Sequence, residues 1–287
     1  MGRIAYVDGR YLPHPMAVVH IEDRGFQFAD GVYEYFAVFA GRLADARGHF
    51  DRLWRSLDAL SIVPPMSEAA MRIVIAETVR RNHIQDGAVY LQVTRGVAPR
   101  DHAFPDPAPS PTLVVTAKPV DFAAADAKAA KGVAVITQPD IRWGRCDIKT
   151  VGLLPNVLAK QSARQAGAYE AWLVDGQGYV TEGASTNAWI VDADGVLRTR
   201  DTTANILRGV TRKQLLPVAE AAGTPVSEQP FTVAEAKAAR EAFITAASTF
   251  VMPVVSIDNV PIGDGRPGPV AMRLRALYIN NARSDLP

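Results

Sequence analysis

Cys146 is the only cysteine in 287 residues, so the chain can form no internal disulfide and no cysteine zinc cluster. His14, His20, His49 and His83 are scattered, and none falls at a metal-ligand spacing. Charge of one sign is also missing. The formal net charge is +1, which leaves no basic or acidic field to suggest nucleic acid as a partner. No apolar run approaches the roughly 20 residues that a membrane span needs, and the opening MGRIAYVDGRYLP lacks the apolar stretch of a secretory leader. No Gly-x-Gly-x-x-Gly or P-loop stands in a strand-to-helix context. Lysine is scarce: there are 7 against 24 arginines, and none from Met1 to Ala117. Arg-rich codon usage explains the bias, but it leaves few candidates for chemistry that needs a primary amine. These absences point to a cytoplasmic enzyme without metal.

What is present is a core-forming composition, 48% hydrophobic and 21% charged. In the first part, strands are predicted near residues 4–7, 33–39, 89–94 and 113–117. Leu53, Leu57 and Leu60 recur at helical spacing over 49–61, and Ser67 caps a second helix to about Asn82. The Ala-rich stretch 121–130 reads as a link between domains. Beyond it, strands are predicted near 132–137, 169–174, 187–191, 243–246 and 254–257. Helices are expected after Gly152, from Thr211, and over 271–281. The class predicted is α+β, with a small domain over 1–120, a linker over 121–130 and a larger domain over 131–287 that carries the key lysine. Hairpins mixed with helices argue against a doubly wound parallel sheet.

Four local patterns could carry chemistry. Lys149 precedes a helix and an apolar stretch. An amine held against apolar surface is more easily obtained without its proton, as a Schiff-base lysine requires, yet a snorkelling surface lysine fits the local pattern as well. Among the seven lysines it is the best candidate. Arg208-Gly209-Val210-Thr211-Arg212 offers free backbone N–H groups and a capping hydroxyl at a helix start, which suits an anion and equally an ordinary capped helix. Thr181-Glu182-Gly183 reads either as a hairpin turn or as a carboxylate aimed at a heterocyclic nitrogen. Arg100 and His102 lie in a Pro/Gly-bounded loop after a strand. That loop is suited to gripping a carboxylate, or is simply a solvated basic loop.

Together these pieces resemble a known family. Residues 22–34 (EDRGFQFADGVYE), 49–53 (HFDRL), Ile141-Arg142-Trp143 through Lys149, 156–161, Thr181-Glu182-Gly183 and Gly209-Val210-Thr211-Arg212 match, in this order, the fold-type IV pyridoxal-phosphate enzymes. Among these the likeness is greatest to the D-amino-acid aminotransferases. The resemblance implies pyridoxal 5′-phosphate as cofactor, with Lys149 as Schiff-base and proton-shuttling lysine and Glu182 facing the pyridine nitrogen. It implies a phosphate cup from Arg52, Val210, Thr211 and Ser248, with Ser185 near the cofactor and Arg142 near the ring hydroxyl. Tyr33, Arg100 and His102 match the trap for the substrate carboxylate, and Tyr35 points into the side-chain pocket. It further implies ping-pong transamination between D-amino acids and 2-oxo acids, by a homodimer. Tyr35, Ala184 and Ala247 depart from the family pattern and bear on substrate range. An (R)-selective amine or branched-chain aminotransferase, or a non-catalytic pyridoxal-phosphate-binding protein, are the alternatives.

Overall fold

A computed structural model of the chain describes residues 2–202 and 206–284. It divides into two compact units. One comprises the residues up to Asp121 together with Ile148–Gly152; the other comprises Phe122–Asp147 and the residues from Leu153 onward.

The first unit is a six-stranded antiparallel sheet with helices on one face. Its strands are β1 (Ile4–Val7), β2 (Arg10–Pro13), β3 (Gly31–Phe39), β4 (Arg42–Leu43), β5 (Gly87–Thr94) and β6 (Thr112–Pro119), in the order β2-β1-β6-β5-β3-β4. Its helices are α1 (Arg24–Phe28), α2 (Ala46–Ala59) and α3 (Glu68–Arg81). Helix α2 buries His49, Phe50, Leu53 and Leu57, a stripe at i, i+1, i+4 and i+8. Asp45 precedes it, so it starts three residues before the sequence-based boundary. Ser67 caps α3 by accepting from the Ala70 N–H, as expected. Phe36, Val38, Leu53, Leu57, Met71, Ile75, Val89 and Leu91 form the core between sheet and helices.

Two features of this unit place functional side chains. Successive residues of a strand point to opposite faces, so on β3 Glu34 shares the helix face with Phe36, whereas Tyr33 and Tyr35 point to the other. Strand β4 is only two residues long and covers only the far end of β3. The open end of β3 is taken by residues 149–151. The Tyr33 N–H donates to the Lys149 carbonyl (3.0 Å), the Val151 N–H donates to the Gly31 carbonyl (3.1 Å), and Thr150 bridges Val32.

The second unit holds a nine-stranded mixed sheet. Its strands are β7 (Val133–Pro139), β8 (Glu170–Val174), β9 (Val180–Gly183), β10 (Asn187–Val191), β11 (Leu197–Thr199), β12 (Val226–Ser227), β13 (Glu241–Ala246), β14 (Phe250–Ile257) and β15 (Val260–Pro261). Their order is β12-β11-β10-β13-β14-β7-β8-β9, with β15 on β14. Parallel pairs (β14 with β7, β7 with β8, β11 with β12) sit among antiparallel ones. Its helices are α4 (Phe122–Ala129), α5 (Leu154–Gln165), α6 (Val210–Ala221), α7 (Val233–Ala238) and α8 (Pro269–Ser284). The α+β class is the one expected.

The stretch read as a linker, 121–130, is a helix. Alanine favours helix, Phe122 and Ala129 are buried, Phe122 packs on Phe250 at 5.3 Å, and Asp126 pairs with Arg275 at 2.6 Å. The Lys149 segment, expected with 131–287, groups with the first unit because its backbone bonds to β3 and the Ser56 hydroxyl accepts from its N–H. Among the described residues no helix is long and apolar enough to cross a membrane.

Candidate active site

In the first unit, the Lys149 ammonium nitrogen lies 4.0 Å from the centroid of the Tyr33 ring, and Tyr33 packs against Tyr90 at 5.6 Å. Among the described residues Lys149 makes no ion pair with a carboxylate. An amine meant to act as nucleophile and proton carrier must not be held as an ammonium by a buried acid. Tyr35 is half-buried, and burial raises its phenol above the ordinary value. Burial likewise pushes Tyr90 up to about 12.

Arg52 lies on the helix face of β3. Its Nε donates to Glu34 Oε1 (2.7 Å) and its Nη2 to Glu34 Oε2 (2.8 Å), while His49 Nδ1 meets Glu34 Oε2 at 2.7 Å. All three side chains are buried. Burial disfavours the Glu34 charge, but the Arg52 guanidinium and His49 outweigh it and hold the carboxyl down at about 2. His49 is pushed below its ordinary value, chiefly by burial. With Glu34 ionised, the His49 Nδ1–H that faces its Oε2 is the donor. This arrangement fixes the fork of Arg52. Glu34 was not singled out in the sequence, although a glutamate at an inward position of an apolar strand demands a buried partner.

Arg100 and His102 are exposed and flank one ring. The Arg100 guanidinium carbon is 4.5 Å and the His102 ring 5.4 Å from the centroid of Phe28. Tyr33 thus meets Lys149, and Arg100 and His102 share the Phe28 ring.

In the second unit, Glu182 lies on β9 instead of in a turn, and is buried. Its Oε1 accepts from Arg142 Nη1 and from the Leu207 N–H (3.0 Å), and its Oε2 accepts from Asn187 Nδ2 (2.9 Å). Burial pushes the carboxyl up, against the pull of Arg142 downward. For Arg142, burial works against the charge, but Asp140 and Glu182 raise it well above the ordinary value. Among the described residues, three donors occupy three of the roughly four acceptor positions of a carboxylate, which leaves one on Oε2. Arg142 is committed to Asp140, Glu182 and Thr181. Asp140 and Asn187 complete this grouping and carried no local signal.

Helix α6 begins at Val210 with Gly209 as its N-cap, and among the described residues no side chain caps it. Thr211 is thus the second helical residue and not the cap. A Cβ on Gly209 would come within 2.0 Å of Asn187 Oδ1, so only glycine fits there. The uncapped first turn presents N–H groups and the positive end of the helix dipole. Ser248 is exposed in the turn between β13 and β14. The Ser185 hydroxyl donates to Glu170 Oε2 at 2.5 Å, and Lys160 pairs with the same carboxylate at 3.2 Å. Ser185 thus keeps acceptor capacity but has spent its donor.

The profile of the family described as Amino-transferase class IV matches residues 31–257, and the chain belongs to that family. It is 41% identical over 264 residues to a D-alanine aminotransferase of Listeria monocytogenes, covering 92% of this chain and 90% of that protein. It is 39% identical over 270 residues to the D-alanine aminotransferase of Staphylococcus haemolyticus, covering 94% of each. A solved branched-chain amino acid aminotransferase of T.th. origin, with pyridoxamine 5′-phosphate, superposes with a TM-score of 0.90 at 27% identity, covering 100% of this chain and 96% of that one.

Proposed function

We propose that this aminotransferase moves amino groups between D-amino acids, D-alanine among them, and 2-oxo acids, with pyridoxal 5′-phosphate as cofactor. The observation that carries the reading is the Lys149 amine, seated over Tyr33 and clear of any carboxylate among the described residues. Identity of about 40% to D-alanine aminotransferases over most of the chain supports the substrate class.

When bound, pyridoxal phosphate supplies an electrophilic carbon and a ring that takes up electrons from the substrate Cα. Lys149 would anchor it and then, released by the incoming amine, take the Cα proton on Nζ and return it. The open position on Glu182 Oε2 suits a protonated ring nitrogen, with Arg142 and Asn187 holding the carboxylate still. Arg52, set by Glu34, would hold the phosphate with the Val210 and Thr211 N–H groups and Ser248. Ser185 offers a remaining lone pair on the cofactor side. Arg100, His102 and Tyr33 would bind the substrate carboxylate, and Tyr35 would bound the side-chain pocket.

The assembly we assign is a homodimer. Val18, Ile21, Phe26 and Phe104 of the first unit are exposed, and solvent-facing apolar side chains of this kind suit an interface. A single buried cysteine suits a reducing cytoplasm. Borohydride reduction with pyridoxal phosphate followed by peptide mapping tests the anchor, and the expected label is on Lys149. Label on another lysine, or on none, overturns the assignment. Turnover of D-alanine against L-alanine, L-leucine and (R)-1-phenylethylamine tests the substrate class, with D-alanine expected to be preferred. Light scattering tests the dimer.

A further inference from the structure

The loop that carries Arg100 and His102 has no strand or helix of its own, yet its backbone is held at defined points. Arg24, the first residue of α1, is buried at 3% exposure. Its Nη1 donates to the Asp101 carbonyl (2.6 Å) and its Nη2 to the His102 carbonyl (3.4 Å). Its Nε donates to Asp30 Oδ2 (2.9 Å). Arg95, also buried, donates from Nε to the same Oδ2 (2.7 Å) and from Nη2 to Oδ1 (3.0 Å). The other face of Arg95 lies 3.6 Å from the Phe104 ring centroid, and its Nη1 and Nη2 reach the Ser61 and Leu60 carbonyls. One carboxylate thus orients two buried guanidinium groups. One of these pins the loop by two successive carbonyls, and the other by an aromatic ring further along. Phe28, on the same short helix as Arg24, supplies the ring that Arg100 and His102 flank.

We infer that Asp30 is a positioning residue for substrate recognition. Acting through Arg24 and Arg95, it holds the loop so that Arg100 and His102 present their charges to the substrate carboxylate. This rests on the reading above that Arg100 and His102 bind that carboxylate. The physical reason lies in the charges. Two guanidinium groups meeting within a nearly buried space repel unless an anion separates them, and only a planar fork reaches Asp30 and two carbonyls at once.

The test compares Asp30→Asn, Arg24→Lys and Arg100→Ala in the holoenzyme. The readouts are KM and kcat for D-alanine, and the dissociation constant of propionate, an unreactive carboxylate, by calorimetry. Arg24→Lys keeps the charge beside Asp30 but loses the fork, and it decides the matter if Asp30→Asn fails to fold. The expected result for Asp30→Asn and Arg24→Lys is a rise of about tenfold in KM and in the propionate constant, the scale of a lost charge-assisted contact, with kcat nearly unchanged. A fall in kcat with KM and propionate binding unchanged marks a merely structural residue and overturns the proposal, as does no change in any readout. If Arg100→Ala leaves KM and propionate binding unaltered, the carboxylate-trap reading fails first. If Arg100→Ala weakens both and the other two variants do not, only the role of Asp30 falls.

Discussion

Glu34→Gln probes the buried group that sets Arg52. In the native protein Glu34 accepts two bonds from Arg52 and one from His49, and its carboxyl is held down from an ordinary 4.5 to about 2, against the effect of burial. That lowering corresponds to about 3 kcal/mol of folding stability, within the range of about 3–5 kcal/mol for breaking a buried ion pair. A glutamine keeps the shape but removes the negative charge that faces Arg52. Glu34→Gln is therefore expected to unfold in urea at pH 7 with a free energy about 3 kcal/mol lower, read by tryptophan fluorescence. The pH dependence has a definite sign. A depressed carboxyl contributes stability that is present above 4.5 and lost as pH falls toward about 2. The gap between parent and variant should be present at pH 7 and shrink as pH falls from 4.5 toward about 2. Burial also holds His49 below its ordinary value, so acid that charges it weakens both proteins. Equal stability at pH 7, or a gap that does not shrink between pH 4.5 and about 2, would refute the reasoning.

Three further outcomes are expected. Glu182→Gln keeps the acceptor for Arg142 but turns an N–H toward the position on Oε2, so kcat with D-alanine should fall about 100-fold, the scale of a removed electrostatic partner; an unchanged kcat contradicts the role. Gly209→Ala drives a methyl against Asn187 Oδ1, displacing a donor to Glu182 and disturbing the start of α6. Titration of the apoprotein should show weaker retention of pyridoxal phosphate, and retention equal to the parent would mean that the close approach is relieved without consequence. Phe36→Ala empties the centre of the first core and should cost about 3–5 kcal/mol in chemical denaturation; a loss below about 1 kcal/mol would mean the site collapses around the gap.

Local patterns were legible in the sequence wherever one element could satisfy its own chemistry. The Leu53–Leu57 spacing announced α2, and Ser67 announced the start of α3, because amphipathic stripes and caps act over one or two turns. The same locality misled at 121–130, where an Ala-rich composition suggested a link. Its helix is anchored by partners far along the chain, Phe250 and Arg275. Glu182 appeared as a loop carboxylate because hairpin residues surround it, although β8 draws it into strand β9.

By itself the sequence determined the α+β class, the scarcity of lysine that left seven candidate amines, and the ordered motifs that the class IV amino-transferases share. These follow from composition and near-neighbour spacing. Only the tertiary structure decided which charges meet: Glu34 with Arg52 and His49, Glu182 with Arg142 and Asn187, Asp30 with Arg24 and Arg95. Asp30 and Arg95 are 65 residues apart. Strand register brings them together, since β3 and β5 pair at Gly31 and Thr94 and the next residues beyond that rung are Asp30 and Arg95.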